Sequence, residues 1–237
     1  MEAPTGWGSD DLSKFIDDAR NNEFATFLQK SGSYRRLRDI DSLFCEALAN
    51  LDDPPSVAPT FFFYRCHSAF RASVRLATSG QVPETFLTLR GALEFALYGV
   101  YFWRNEGDWE LWCSREDSET HRKAVRKKFK VDAIFGAARS ADTREADIAR
   151  TLYDRCIDLG AHPNPLAVLG SVTFEETPEA LHVDSSYLSA QTEGYELAMR
   201  STAQVGVCSW SLLGQVFKER FQTRGLWDKC DVVKQGL

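Results

Sequence analysis

The stretch 83–104 constrains the fold more than any other part of this sequence. Phe86, Leu87, Leu89, Leu93, Phe95, Leu97, Tyr98, Val100 and Tyr101 make it apolar nearly all round. A helix of that kind belongs at the centre of a core rather than at its edge. Pro83 stands at a helix-start position, and only Gly80-Gln81-Val82 separates it from a preceding helix over 60–79. So short a turn makes the two helices antiparallel neighbours. The chain is therefore predicted to be all-α, a helical bundle with long central antiparallel helices.

The remaining segments extend this bundle. Asp10 and Asp11 are capping residues for a helix over 10–30, with Phe15, Ile16, Phe24 and Phe27 at irregular helical spacings and Gly32 as its stop. Leu37, Ile40, Phe44 and Leu48 predict an amphipathic helix over 34–51, ended by Asp52-Asp53-Pro54-Pro55. One or two surface helices are expected over 109–130, a short one over 131–139, and another over 142–159, capped by Asp142 or Thr143 and stopped by Gly160. Between 166 and 183, Val168, Val172, Thr173 and Phe174, with a turn at Glu176-Thr177-Pro178, predict a small hairpin excursion. The cluster Asp184-Ser185-Ser186 is read as the cap of a long helix over 184–223. Gly194, Gly206 and Gly214 inside it would each cost about 1 kcal/mol relative to alanine, which calls for close helix packing in compensation. One domain over 1–237 is expected, with its core in 60–223 and a flexible start at 1–9.

Composition narrows the function. At 43% hydrophobic residues the chain carries enough apolar material for a sizeable core. A formal net charge of -6 offers no global attraction to nucleic acid, so RNA binding would need a local basic patch. Six scattered cysteines, no two of them two residues apart and none clustered with histidine, are read as reduced thiols, with no metal and no cofactor expected. Neither a secretory leader nor an apolar run of about 20 residues is present, so a cytoplasmic protein without a membrane partner is predicted. Walker-type loops, dinucleotide glycine fingerprints, paired-histidine zinc helices and nucleophile elbows are missing from the sequence.

Three groups of residues could carry chemistry. Arg155 and His162 lie seven positions apart, so two helical turns would bring both to one face. An arginine fork with a titratable imidazole suits RNA backbone cleavage, although local pairing of Arg155 with Asp154 or Asp158 explains it as well. His67, Arg71 and Arg75 form a basic stripe at four-residue steps, expected to face Arg90 and Glu94. Glu94 should then meet Arg71, Arg75 or Arg90, either in a structural ion-pair network or in a polar pocket that binds substrate. The basic run 121–130 could contact phosphates, but without interleaved aromatics it reads first as the solvated face of an amphipathic helix.

The segment Leu89-Arg90-Gly91-Ala92-Leu93-Glu94, together with Arg155 six residues before His162-Pro163, resembles bacterial helical proteins of the HEPN superfamily. That resemblance implies a metal-independent endoribonuclease of a toxin or phage-defence system. It would act as a homodimer, with Arg155 and His162 catalytic, Arg71, Arg75, Arg90 and Glu94 around them, and a regulatory protein partner. Cys156 stands where the family usually has a polar residue, and Pro163 and Pro165 follow the histidine. The alternative expectation is a non-catalytic helical module that binds a partner protein or a small ligand.

Overall fold

The computed structural model describes residues 3–51, 57–190 and 192–237, and its architecture is all-α with one small hairpin. Asp10 caps α1 (Asp11–Gln29) by accepting from Ser13 N at 2.8 Å. The helix ends at Lys30 as expected, but Gly32 is not its stop: it lies in the first turn of α2 (Ser31–Ala49), which follows at once. The expected terminator at 52–55 lies outside the described residues. Trp7 Nε1 donates to Asp17 Oδ2 at 2.8 Å, so the first turn, expected to be flexible, folds back on α1.

The central pair matches the sequence reading closely. Helices α3 (Val57–Ser79) and α4 (Val82–Arg104) are joined through Gly80, whose φ of +86° is open to glycine and strained for other residues. Phe86, Leu89, Leu93 and Val100 of α4 are fully buried, but Leu87 is exposed and Arg90 and Glu94 lie at a partly open flank. The helix is therefore central without being enclosed on every side.

Beyond Gly107 the chain turns back along the C-terminal end of α4. It forms α5 (Asp108–Cys113), a 3₁₀ turn and α6 (Glu119–Lys128). Trp109, Trp112 and Phe129 pack there on Phe102 with ring centroids 5.3–5.8 Å apart, which holds this otherwise polar segment in place. Helices α7 (Val131–Ala141) and α8 (Thr143–Cys156) complete that flank, with Asp142 accepting from Glu145 N at 3.0 Å. The expected helix to 159 loses its α geometry at Cys156 and loosens into a π turn, Ile157–Ala161.

A short α9 (Pro165–Leu169) leads into β1 (Val172–Glu176) and β2 (Leu181–Ser185), paired antiparallel. The hairpin was expected, but its second strand takes the residues read as a helix cap. Thr173 pairs with Asp184 and Val172 with Ser185, so the ladder wins over capping. Thr192 caps α10 (Glu193–Val216) instead, accepting from Tyr195 N at 3.1 Å. The long helix also stops early, at Phe217, before α11 (Lys218–Thr223) and α12 (Leu226–Lys234). Phe217 and Phe221 both pack on Phe63, at 6.0 and 6.1 Å, and Phe221 also meets Trp210 at 4.8 Å.

Helix α10 lies against α2, α3, α4 and α8, with Trp210 fully buried and donating from Nε1 to the Leu43 carbonyl at 3.1 Å. Its glycines serve this packing unequally. A Cβ at Gly206 would stand 2.5 Å from Phe70 and 2.9 Å from Ile40, and one at Gly214 2.8 Å from Trp227, whereas Gly194 has ordinary space around it. Gly206→Ala is expected to destabilise the chain by about 1–3 kcal/mol despite alanine's better helix propensity, because the core there has no room for a methyl group. Urea denaturation checks this, and an unchanged or higher midpoint would contradict the packing.

Candidate functional site

The basic stripe of α3 does not face Arg90 and Glu94 as expected. It faces acids on α1 and α2. His67, 6% exposed, lies flat on Phe44 with centroids 5.0 Å apart and donates from Nε2 to Asp41 Oδ1 at 2.6 Å. Arg71 grips the same carboxylate with both arms of its fork, at 2.7 and 2.9 Å, and Arg75 donates to Glu23 Oε1 at 3.1 Å. Partial burial would raise the Asp41 pKa, but the hydrogen bonds and charges of His67 and Arg71 outweigh it and hold the carboxyl well below the ordinary range.

One turn along α2, the exposed Cys45 comes within 3.2 Å of Arg71 Nη2 and 3.9 Å of Asp41 Oδ2. Ligand atoms of Asp41, Cys45 and His67 all lie within 4.8 Å of one another. The expectation of no cysteine–histidine cluster is corrected here. Only Asp41 and Cys45 are close in sequence, and His67 arrives from the next helix, so spacing along the chain carried no sign of it.

Arg90 and Glu94 form a separate group. Arg90 Nε donates to Glu94 Oε1 at 2.9 Å, the Tyr153 hydroxyl donates to the same oxygen at 3.2 Å, and the guanidinium sits 5.2 Å from the Tyr153 ring centre. Of the three candidate arginines, Arg90 is thus the one that meets Glu94. Burial, followed by the Glu94 charge, raises the Tyr153 phenol above its usual value and keeps it a donor. Arg90 Nη1 also reaches the Ala161 carbonyl at 3.4 Å, so the group ties the π turn to α4. The cavity beside it, closed by Leu97, Tyr98, Phe129 and Phe135, holds only about 110 Å³. Ligand pockets usually offer roughly 300 Å³ or more.

Arg155 and His162 do not return to one helical face, because the α geometry ends at Cys156 and His162 is extended, with φ -148° and ψ 138°. Arg155 reaches across to α10, donating to Gln204 Oε1 at 2.6 Å and to Ser201 Oγ at 3.3 Å, rather than to Asp154 or Asp158. The exposed His162 ring donates from Nδ1 to the Pro163 carbonyl at 3.1 Å. No hydrogen bond joins the two side chains among the described residues. The turn carrying His162 lies at the start of α4, where Gly160 packs on the Pro83 backbone. The basic run of α6 lies at the other end, where Lys128 pairs with Asp108 at 3.1 Å and Phe129 meets Tyr101 at 5.4 Å. Pro83 and Tyr101 are about 27 Å apart along the helix axis at 1.5 Å per residue.

A feature that sequence reasoning did not single out is an uncovered apolar face. In the hairpin register Phe174 opposes Val183 and Glu176 opposes Leu181, so Val172, Phe174, Leu181 and Val183 share one side. Phe174, Leu181 and Val183 are 57%, 61% and 55% exposed. Leu166, Val168, Leu169 and Tyr187 nearby are exposed as well. Alternation on the two strands was the available signal, and the register was needed to read it. At the same end of the bundle, where Ser189 N donates to the Gly80 carbonyl and Asn22 to that of Ser79, α1 turns Phe24, Phe27 and Leu28 outward.

Comparison with protein families, with characterised proteins and with solved structures returns no match. No helix among the described residues is long and apolar enough to cross a membrane.

Asp41→Asn is expected to cost about 1–2 kcal/mol at pH 7, near the low end for charged hydrogen bonds because the carboxylate is 31% exposed. Since the folded state lowers this pKa, the stabilisation is complete above the unfolded value of about 4 and is lost as pH falls below it. Urea midpoints at pH 7 and pH 3 check this. An equal gap between wild type and variant at both would contradict the assignment.

Proposed function

We propose that this chain is a non-catalytic helical module that binds a partner protein through the apolar face of its hairpin. The observation that carries the reading is the exposed side formed by Phe174, Leu181 and Val183 on a two-stranded ribbon that projects from an otherwise well-packed helical body. A lone hairpin is marginal in water, and contiguous exposed apolar surface of this kind marks interaction sites.

Electrostatics define the partner. Residues 156–199 contain no lysine or arginine and seven acids, among them Glu175, Glu176, Glu179 and Asp184 around the hairpin. An isologous contact between two copies of this face would set acid against acid. A different protein, with an apolar groove rimmed by basic side chains, fits the surface better. The same acidity repels a phosphate backbone close to His162, and the basic run is at the far end of α4. Both points weigh against the endoribonuclease reading, as does the engagement of Arg155 by Gln204. The small cavity beside Arg90 weighs against a small ligand at that group.

The test is a photo-crosslinking phenylalanine analogue placed at 174, and at Lys127 on α6 as a control, in cells that express the chain natively. The expected result is a discrete adduct with a different protein from position 174 alone, weakened at least tenfold by joint charge reversal of Glu175, Glu176 and Glu179 to lysine. A self-adduct would replace this reading with a homodimer. Cleavage of RNA in chelator that vanishes in His162→Ala would overturn the non-catalytic assignment.

A further inference from the structure

The cluster on α2 and α3 has the composition and geometry of a cation site. We propose that Asp41, Cys45 and His67 bind a borderline-soft divalent cation of the zinc class, with Arg71 as a counter-ion that occupies the site until the cation displaces it. Thiolate, imidazole and carboxylate are the donor set such ions prefer, and three protein donors leave a fourth position open to water. Asp41 and Cys45 are one turn apart on α2, and His67 reaches from α3 to within 4.8 Å of both.

Bond lengths of about 2.0–2.3 Å and tetrahedral angles place donor atoms about 3.3–3.8 Å apart. The present separations are 2.6 Å for His67 Nε2 to Asp41 Oδ1 and 3.9 Å for Cys45 Sγ to Asp41 Oδ2, with all three donors inside 4.8 Å. Opening the first contact and closing the others, each by about 1 Å or less, would seat the ion. His67 is buried and fixed by its stack on Phe44, so it presents Nε2 in a set direction, while the exposed Cys45 gives the ion a path in.

Arg71 is the informative neighbour. Its guanidinium donates to both Asp41 oxygens and to Cys45 Sγ, so one positive group already touches two of the three donors. Its side chain is 57% exposed and can swing into solvent without breaking core packing. The exchange balances in charge and atoms. The cation enters, Arg71 leaves with its charge, the Cys45 thiol gives its proton to water, and the proton that His67 holds on Nε2 against Asp41 passes to water while Nδ1 takes one up, so the ring stays neutral and Nε2 is free to ligate. A divalent ion then faces one carboxylate and one thiolate.

Cobalt(II) titration of the purified, reduced chain tests the site, because a thiolate–cobalt bond gives a near-ultraviolet charge-transfer band that oxygen and nitrogen ligands do not. The expected results are a band saturating at one cobalt per chain and release of at least one proton per ion. Cys45→Ser should lose the band and weaken binding at least tenfold, and Cys113→Ser, at the other exposed cysteine, should change neither. Arg71→Ala should tighten binding about tenfold. Cys45 and Arg71 are exposed, so these variants fold, which circular dichroism verifies. Absence of the band from both wild type and Arg71→Ala at saturating cobalt would overturn the proposal. So would a band that survives in Cys45→Ser.

Discussion

The close approach of α10 to α2 and α3 is the constraint on which the rest of the molecule depends. Gly206 lets the Phe70 ring and Ile40 come within a distance that a methyl group would forbid, and Trp210, one turn on, is fully buried with its Nε1–H on the Leu43 carbonyl. A buried indole donor without a partner would cost about 1–3 kcal/mol, so this bond also fixes how α10 sits against α2. With α10 in place, α4 is covered along its buried side and α8 acquires a wall. Arg155 then reaches Gln204 and Ser201 on α10. The same packing that stabilises the body thus engages the Arg155 fork within the bundle.

The sequence revealed elements whose signals are local and strong. The α3–α4 pair, the Asp10 and Asp142 caps and the hairpin excursion all rest on turn residues and periodicity within a few positions of one another. It misled where two local preferences competed. Asp184-Ser185 is a good helix cap, but the same residues complete the strand ladder opposite Val172 and Thr173, and pairing decided the outcome. The reading of Arg155 and His162 assumed a continuous helix, and the π turn at Ile157–Ala161 broke the spacing on which it depended. The Asp41–Cys45–His67 cluster was hidden for a different reason. Its members come from two helices, and the acids that meet the α3 stripe could not be assigned until the helices were placed.

Two kinds of surface follow from this architecture. On α2 and α3, polar groups are drawn together and satisfied, with His67 and Arg71 competing for one carboxylate. At the opposite extreme, the hairpin leaves large apolar side chains uncovered beside the acids Glu175, Glu176, Glu179 and Asp184. The body spends its apolar residues on a core that closes without residues 170–190, so this excursion contributes little to folding.

Native-state hydrogen exchange followed by mass spectrometry tests this division between a closed body and an uncovered excursion most directly. Peptides from α3, α4 and α10 should exchange only on global unfolding, while those spanning 172–185 should exchange at least a thousandfold faster in the isolated chain. Protection of the hairpin equal to that of α10 would contradict the division, because it would mean that the apolar face of Phe174, Leu181 and Val183 is already covered.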